Sequence, residues 1–592
     1  MKSIYKYLII GGLVLGITSC ENDFLDLNPT GQFTDAAYFK KPSDFKAYAT
    51  SFYGQLQGWD FGNMDTNSDL SANTRGEGYD LGHGTIPATG TTWNYSGIRN
   101  CNILLDKAKS YKGEGDITPY MGEAYFFRAY NYFGLLKNFG GVPIITSVLD
   151  DKSPELYAPR NSRYEVTEQI LSDLNKAITM LPSESSIPSN EKGKVSITTA
   201  LALKAQVELY EATWEKYVGQ TTDGDGQTIG AGSKGYDASN VNNYLTDVIA
   251  SCEQIMASGI YSIWNKNANT AMAKSSSWYL FNLEDAASNP GGYDKTTNKE
   301  FILYSVYDYV YRQSGKNITW TSGQLYPSRK FVDMAVCTDG LPASKSPLFQ
   351  GYHAAFDEFK NRDLRLLNYL YGASTTPTAT PILNFGSLGY SGYSNSKFGV
   401  YGFGTRRVDN TESANWPIIR LAEVYLMYAE ALYELNGSIT DAQLDASINI
   451  LRDRAGVARL TNALVTTYGL DMKEEIRRER AVELYREGKR FDDLKRWGIL
   501  EAALNPSRLG RVVGSASYLT PYKDASGNPT SAYTANTYVF GEEAVQTPAG
   551  LLNCVVIDSK LNHSVEKKHY LFPIPSNQIS INTNLLQNPG YN

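Results

Sequence analysis

Four glutamates recur at every fourth residue, Glu475, Glu479, Glu483 and Glu487, and a row of carboxylates is the raw material of acid–base chemistry. Arginines answer them: Arg478, Arg486 and Arg490 stand three residues after Glu475, Glu483 and Glu487. Opposite charges at that helical spacing attract and favour the ionised carboxylate. The pattern predicts a salt-bridged structural helix rather than a catalytic pair. Only four histidines occur, His83, His353, His563 and His569, and none forms an HExxH pair. Asp223, Asp225 and Gly226 open like a calcium loop, but Gln227 and Lys234 occupy the fifth and twelfth ligand places. GxSxG, Walker A and GxGxxG fingerprints are absent from suitable contexts. Two distant carboxylates could still make a glycoside hydrolase, which sequence alone leaves open. No cofactor is called for, and no metal ligand set is identified.

The residues better suited to binding are aromatic. The chain has 43 Tyr, 22 Phe and 8 Trp. A tyrosine offers a flat apolar face and a polar tip, complementary to the C–H faces and hydroxyl rims of sugars. Most of these rings must fill cores, so position decides. Met64–Gly84 offers Asp65, Asn67, Asp69, Arg75 and Tyr79, polar groups that engage vicinal hydroxyls. Ser275–Tyr326 contains Trp278 and Trp320, the latter among small polar residues and the best single stacking candidate. Gly389–Gly404 adds Tyr390, Tyr393 and Lys397, and Trp93 borders the first of these loops.

Loops need a scaffold, and its period is helical. Tyr125, Ala129, Tyr132 and Leu136 share one helix face, and Gly140, Gly141 and Pro143 stop that helix. Further helices are predicted near 163–181, 196–215 and 242–257, with a second block over about 417–500. There Leu421, Tyr425, Tyr428 and Leu432 again mark one face. The expectation is a mainly α fold, a tetratricopeptide-like helix-pair scaffold over about 41–260 and 417–500. Gly-, Ser-, Asn- and Tyr-rich stretches at 262–415 and 505–592 would add loops and short strands that carry the binding portion. Residues 41–592 read as a single domain on this pattern. A net charge of −7 and no basic block exclude nucleic acid as a natural partner. Cys101, Cys252, Cys337 and Cys554 are far apart and read as buried single thiols.

The chain opens MKSIYKYLIIGGLVLGITSC, with Lys2 and Lys6 before a short apolar run. Residues 1–19 read as an export signal, too short to span a bilayer. Small residues directly before Cys20 resemble a bacterial lipobox, in which that cysteine is lipidated and anchors the chain by acyl groups. Residues 20–40 read as a surface tether and the start of the fold.

Segments in order carry a family resemblance: FLDLNPTGQFT (24–34), WNYSGIRNCNILLDKA (93–108), FFRAYNYFGLLKNFGGVPI (126–144) and ALALKAQVELY (200–210). PSRKFVDMAVCTDGLP (327–342), NRDLRL (361–366), WPIIRLAEVYLMYAEAL (416–432) and LRDRAG (451–456) follow. IRRERAVELYREGKRFDDLKRWG (476–498) and HYLFPIPSNQISINTNLLQNPGYN (569–592) complete the set. Together they resemble the SusD/RagB-like outer-membrane nutrient-binding lipoproteins, with Leu364 where proline is usual. The resemblance implies a non-enzymatic cell-surface binder that delivers oligosaccharide, or in some members peptide, to a SusC-like TonB-dependent transporter. It implies a lipid anchor at Cys20 in the outer membrane of a Gram-negative bacterium, facing outward, helped by Glu21, Asn22, Asp23 and Asp26. Arg128, Glu423, Arg480 and Trp497 are expected to be packing and ion-pair positions. Trp320→Ala is expected to weaken glycan binding without unfolding the chain; calorimetry showing unchanged affinity would discard Trp320 as a platform.

Overall fold

The computed structural model describes residues 38–59, 64–72, 86–219, 231–323, 325–352, 357–370, 391–399, 410–512, 540–547 and 550–591. The leader, Cys20, the expected tether up to residue 37, Arg75, Tyr79 and the calcium-like Asp223–Gly226 lie outside the described residues.

The helices open with α1 (Pro42–Thr50), α2 (Ser96–Ser110), α3 (Thr118–Phe139), α4 (Arg163–Met180), α5 (Ile197–Tyr217) and α6 (Asn240–Ala257). Their ends follow local chemistry. The Ser162 hydroxyl accepts the Glu165 amide at 3.1 Å, and the Glu165 carboxylate accepts the Ser162 amide at 3.1 Å, a reciprocal cap that starts α4. Gly140, at φ 72°, ends α3. Gly141 then passes so close to Asn161 that a β-carbon there would sit 2.1 Å from its carbonyl oxygen.

Among the short helices that follow are α7 (Ile318–Gly323), α8 (Arg329–Met334) and α9 (Leu364–Tyr369). Then come α10 (Leu421–Asn436), α11 (Ile448–Ala455), α12 (Met472–Glu483), α13 (Arg490–Arg496), α14 (Leu500–Leu504) and α15 (Ser576–Ile581). From α2 to α6 each helix packs on the next; α6 then packs on α10, and α10 on α12. This serial stacking is the mainly α, tetratricopeptide-like architecture expected from the sequence.

Strands are few and short. β1 (Ser71–Ala72) pairs antiparallel with β3 (Tyr326–Pro327), and β2 (Phe301–Ser305) with β4 (Trp416–Arg420). β5 (Arg508–Val512), β6 (Phe540–Thr547) and β7 (Gly550–Asp558) form a sheet in the order β5-β7-β6. One large apolar core fills the spaces between α1–α6 and α10–α14. A second, rich in Trp and Tyr, gathers Trp59, Met64, Leu70 and residues from 264 to 485 around Trp278, Phe331 and Trp416. Cys101, Cys252, Cys337 and Cys554 are free and buried, as the spacing suggested.

The array also buries acids. On α5, Glu211 pairs with Arg163 at 2.7 Å, and Glu215, one turn on, is 2% exposed. Burial and the neighbouring Glu211 charge, with Asp237 adding and Arg163 opposing, push the Glu215 carboxyl up to about 8 from its ordinary 4.5. A raised acid stabilises the fold below its unfolded value, and that contribution is lost as pH rises through the folded one. Glu215→Gln is therefore expected to flatten the fall in melting temperature between pH 4.5 and pH 8; an unchanged slope in thermal scans would show that Glu215 is already ionised.

Candidate functional site

The glutamate row does what its arginine spacing implied, through different partners. Arg478 pairs with Glu475 at 3.1 Å, the expected spacing. Beyond Glu483 the helix ends, so the i,i+3 pairs Glu483–Arg486 and Glu487–Arg490 do not form. Glu483 instead meets Arg420 at 2.6 Å, Arg365 at 2.8 Å and also Arg454. Glu487 takes Arg420 at 2.8 Å and Lys397 at 2.7 Å. Glu300 bridges Arg420 and Arg454, each at 2.7 Å. Burial alone would raise the Glu483 carboxyl; three guanidinium groups outweigh it and hold it far below the usual carboxylate range. Burial draws the Lys397 ammonium down to about 8, against the pull of Glu487.

The other signature positions are internal too. Arg128 forks onto Asp173 through two 2.7 Å bonds. Arg480 pairs with Asp493 at 2.8 Å and Glu423 at 3.3 Å, and the Trp497 indole donates to Glu430 at 2.7 Å.

Several loop residues chosen from the sequence turn inward. Asp65 accepts the backbone amides of Arg486 and Arg490 at 2.5 and 3.1 Å, and burial, opposed by those amides, pushes its carboxyl up to about 6. Asp69 takes both arms of Arg490 at 2.8 Å. Asn67 sits half-buried between them. Trp278 is buried and donates its indole N–H to the Ser396 carbonyl at 2.9 Å. Tyr393 is buried and donates to Glu358 at 3.0 Å. The physical reason is shared: each polar tip has a buried partner far away in sequence, so the ring or carboxylate satisfies the core. Trp320 falls on α7 rather than in an irregular loop, and its side chain lies outside the described ones.

Trp93 is different. It is half-buried, packs edge-to-face on Phe139 with centroids 4.9 Å apart, and lines an open groove of about 420 Å³. Tyr95, Pro143 and Ile145 continue the wall, and Leu156, Tyr157, Gln578 and Asn582 close the other side. Tyr157 is 55% exposed and Leu156 42%. Exposed Arg99 and Glu155 add charge to the rim.

Two stretches far apart in sequence build this groove. Arg160 donates to the carbonyls of Phe139 and Gly141 at 2.8 and 2.7 Å and to Leu586 and Asn588 at 3.0 and 2.8 Å. Asn582 and Asn584 donate to the Ala158 and Tyr157 carbonyls, each at 2.8 Å. Tyr157, Gln578 and Asn582 escaped the sequence reading because no local pattern links residue 157 to residue 582. The exposed aromatic of PELY, outside any helical period, was the available signal.

The comparisons with known proteins place this helical array, with its short-stranded portion, in one family. Residues 262–591 match the family model described as the SusD family, and residues 49–209 match one described as "Starch-binding associating with outer membrane". The chain belongs to the SusD family. SusD-like protein P38 of Formosa agariphila is 29% identical over 34% of this chain. In that match the chain spans 41% of the relative's length. The fold is similar to a SusD-like protein from Bacteroides fragilis, with a TM-score of 0.65, 22% identity and coverage of 94% of this chain and 99% of that one. It is also similar to a laminarin-binding SusD-like protein, with a TM-score of 0.54, 19% identity and coverage of 93% and 100%.

Glu483→Gln keeps the shape but leaves Arg365, Arg420 and Arg454 short of a buried counter-charge. It is expected to cost about 3–5 kcal/mol in urea unfolding; a loss under about 1 kcal/mol, the value of an exposed pair, would show that the junction is solvated.

Proposed function

We propose that this chain is a cell-surface lipoprotein that binds an oligo- or polysaccharide in the Trp93 groove and delivers it to a partner SusC-like TonB-dependent outer-membrane transporter. The observation that carries the reading is the groove itself: Trp93 and Tyr157 offer aromatic surface to solvent, amid hydrogen-bonding groups from Arg99, Glu155 and Gln578. That combination suits a ligand with apolar faces and hydroxyl edges. The starch-binding description of the matched model and the laminarin-binding neighbour support the same ligand class. The role is binding without turnover, in keeping with the ion-paired state of the Glu475–Glu487 row. Cys20 supplies the anchor, with the protein facing the cell exterior.

Sugar recognition of this kind gives modest affinity, because hydrogen bonds compete with water and ordering the chain costs entropy. A glycan panel against the purified chain is expected to single out one polysaccharide class with no product released. Tyr157→Ala and Trp93→Ala are each expected to weaken that binding about tenfold. Tyr157 is exposed, so its loss leaves folding intact. Unchanged affinity in both variants would move the site elsewhere, and released oligosaccharide would make the protein an enzyme.

A further inference from the structure

A second cleft, of about 700 Å³, lies between α8, α12, α13 and the start of β5, and shares no lining residue with the Trp93 groove. In a chain of net charge −7 its walls are rich in cations. Most of these have partners: Arg329 holds Asp333 at 2.6 Å, Arg490 holds Asp69 at 2.8 Å, Arg478 holds Glu475 at 3.1 Å and Arg508 holds Asp558 at 3.1 Å. Two do not fit that pattern.

Arg477 is 7% exposed, yet its guanidinium is only partly engaged. Nη1 donates to Glu474 at 3.4 Å, Nη2 stands 4.0 Å from Glu434, and Nε and Nη2 have no hydrogen-bond partner. The group is held in place against the Trp497 ring, 4.6 Å from its centroid. Lys330, on the same cleft, is exposed and makes no ion pair with the described residues. The spare donors of Arg477 lie beneath the surface, so it contributes a fixed positive charge behind the cleft wall, and the exposed Lys330 ammonium supplies the charge that an oxyanion can touch. Half-buried Phe349 adds an aromatic surface, and Ser344 and Ser507 add hydroxyls.

We propose that this cleft is a second ligand site, taking a saccharide unit that bears an oxyanion, either a uronate carboxylate or a sulfate ester. The saccharide part rests on the glycan-binding reading; the anion preference rests on Arg477 and Lys330. Neutral units of a mixed chain would then occupy the Trp93 groove, and acidic units this cleft.

The test is calorimetry of the purified chain with a galacturonate oligosaccharide, its methyl ester, and sulfated and neutral oligosaccharides run separately. The acid or the sulfate is expected to bind about tenfold tighter than the uncharged counterpart, the size of one charge-assisted contact. The preference is expected to shrink as salt rises. Lys330→Gln and Arg477→Gln are each expected to remove it, while neutral glycan binding and its dependence on Tyr157 stay unchanged. Lys330 is exposed, so that variant answers even where Arg477→Gln fails to fold. Binding without charge preference overturns the cleft and leaves the groove standing. A preference that survives Lys330→Gln but falls with Tyr157→Ala also overturns the cleft. Silence to acidic, sulfated and neutral glycans alike overturns both readings.

Discussion

Everything in this molecule is organised around the fully buried carboxylate of Glu483. Arg365, Arg420 and Arg454 converge on it from α9, the end of β4 and α11. Arg420 also grips Glu487 and Glu300, so one side chain joins the C-terminal end of α12, the β2–β4 pair and the start of α10. In low dielectric such charges are tolerable only when every partner is present. The junction thus fixes how the Trp- and Tyr-rich second core meets the helical array. Two apolar surfaces alone would tolerate sliding; a forked, bidentate set of ion pairs does not.

The groove depends on a related but weaker device. Arg160 ties the turn after α3 to Leu586 and Asn588, and the asparagines at 582 and 584 bind the backbone beside Tyr157. Apart from the bond to the Asn588 side chain, these bonds go to backbone carbonyls, which are insensitive to the identity of neighbouring side chains. Exposed wall residues such as Leu156 and Tyr157 are therefore free to vary while the wall stays in place.

Much of the scaffold was legible in the sequence because its signals are local. The predicted helices near 163–181, 196–215 and 242–257 appear as Arg163–Met180, Ile197–Tyr217 and Asn240–Ala257. The Ser162–Glu165 box and the Gly140–Gly141 stop are read from a few neighbouring residues. The ion-paired nature of the glutamate row was legible as well, and so was the Glu475–Arg478 pair, whereas the partners of Glu483 and Glu487 were not, since α12 stops at Glu483 and the arginines arrive from residues 365, 420 and 454. Binding residues fared differently. Asp69, Trp278 and Tyr393 sit in polar, Gly-rich surroundings that look exposed, yet Arg490, Ser396 and Glu358 wait for them across long sequence separations. Exposure of a loop residue is a tertiary property, and among the described candidates Trp93, beside a helix start, lines an open groove.

The two walls of the groove come from residues 93–157 and 578–585, with the helices α4 to α14 translated between them. A chain cut anywhere within that span yields pieces of which neither owns a complete pocket, even where a piece retains much of the helical stack. The capture proposed for this groove would in this sense be a readout of integrity: only an unbroken polypeptide, folded back across its own length, presents both lips of the pocket at once.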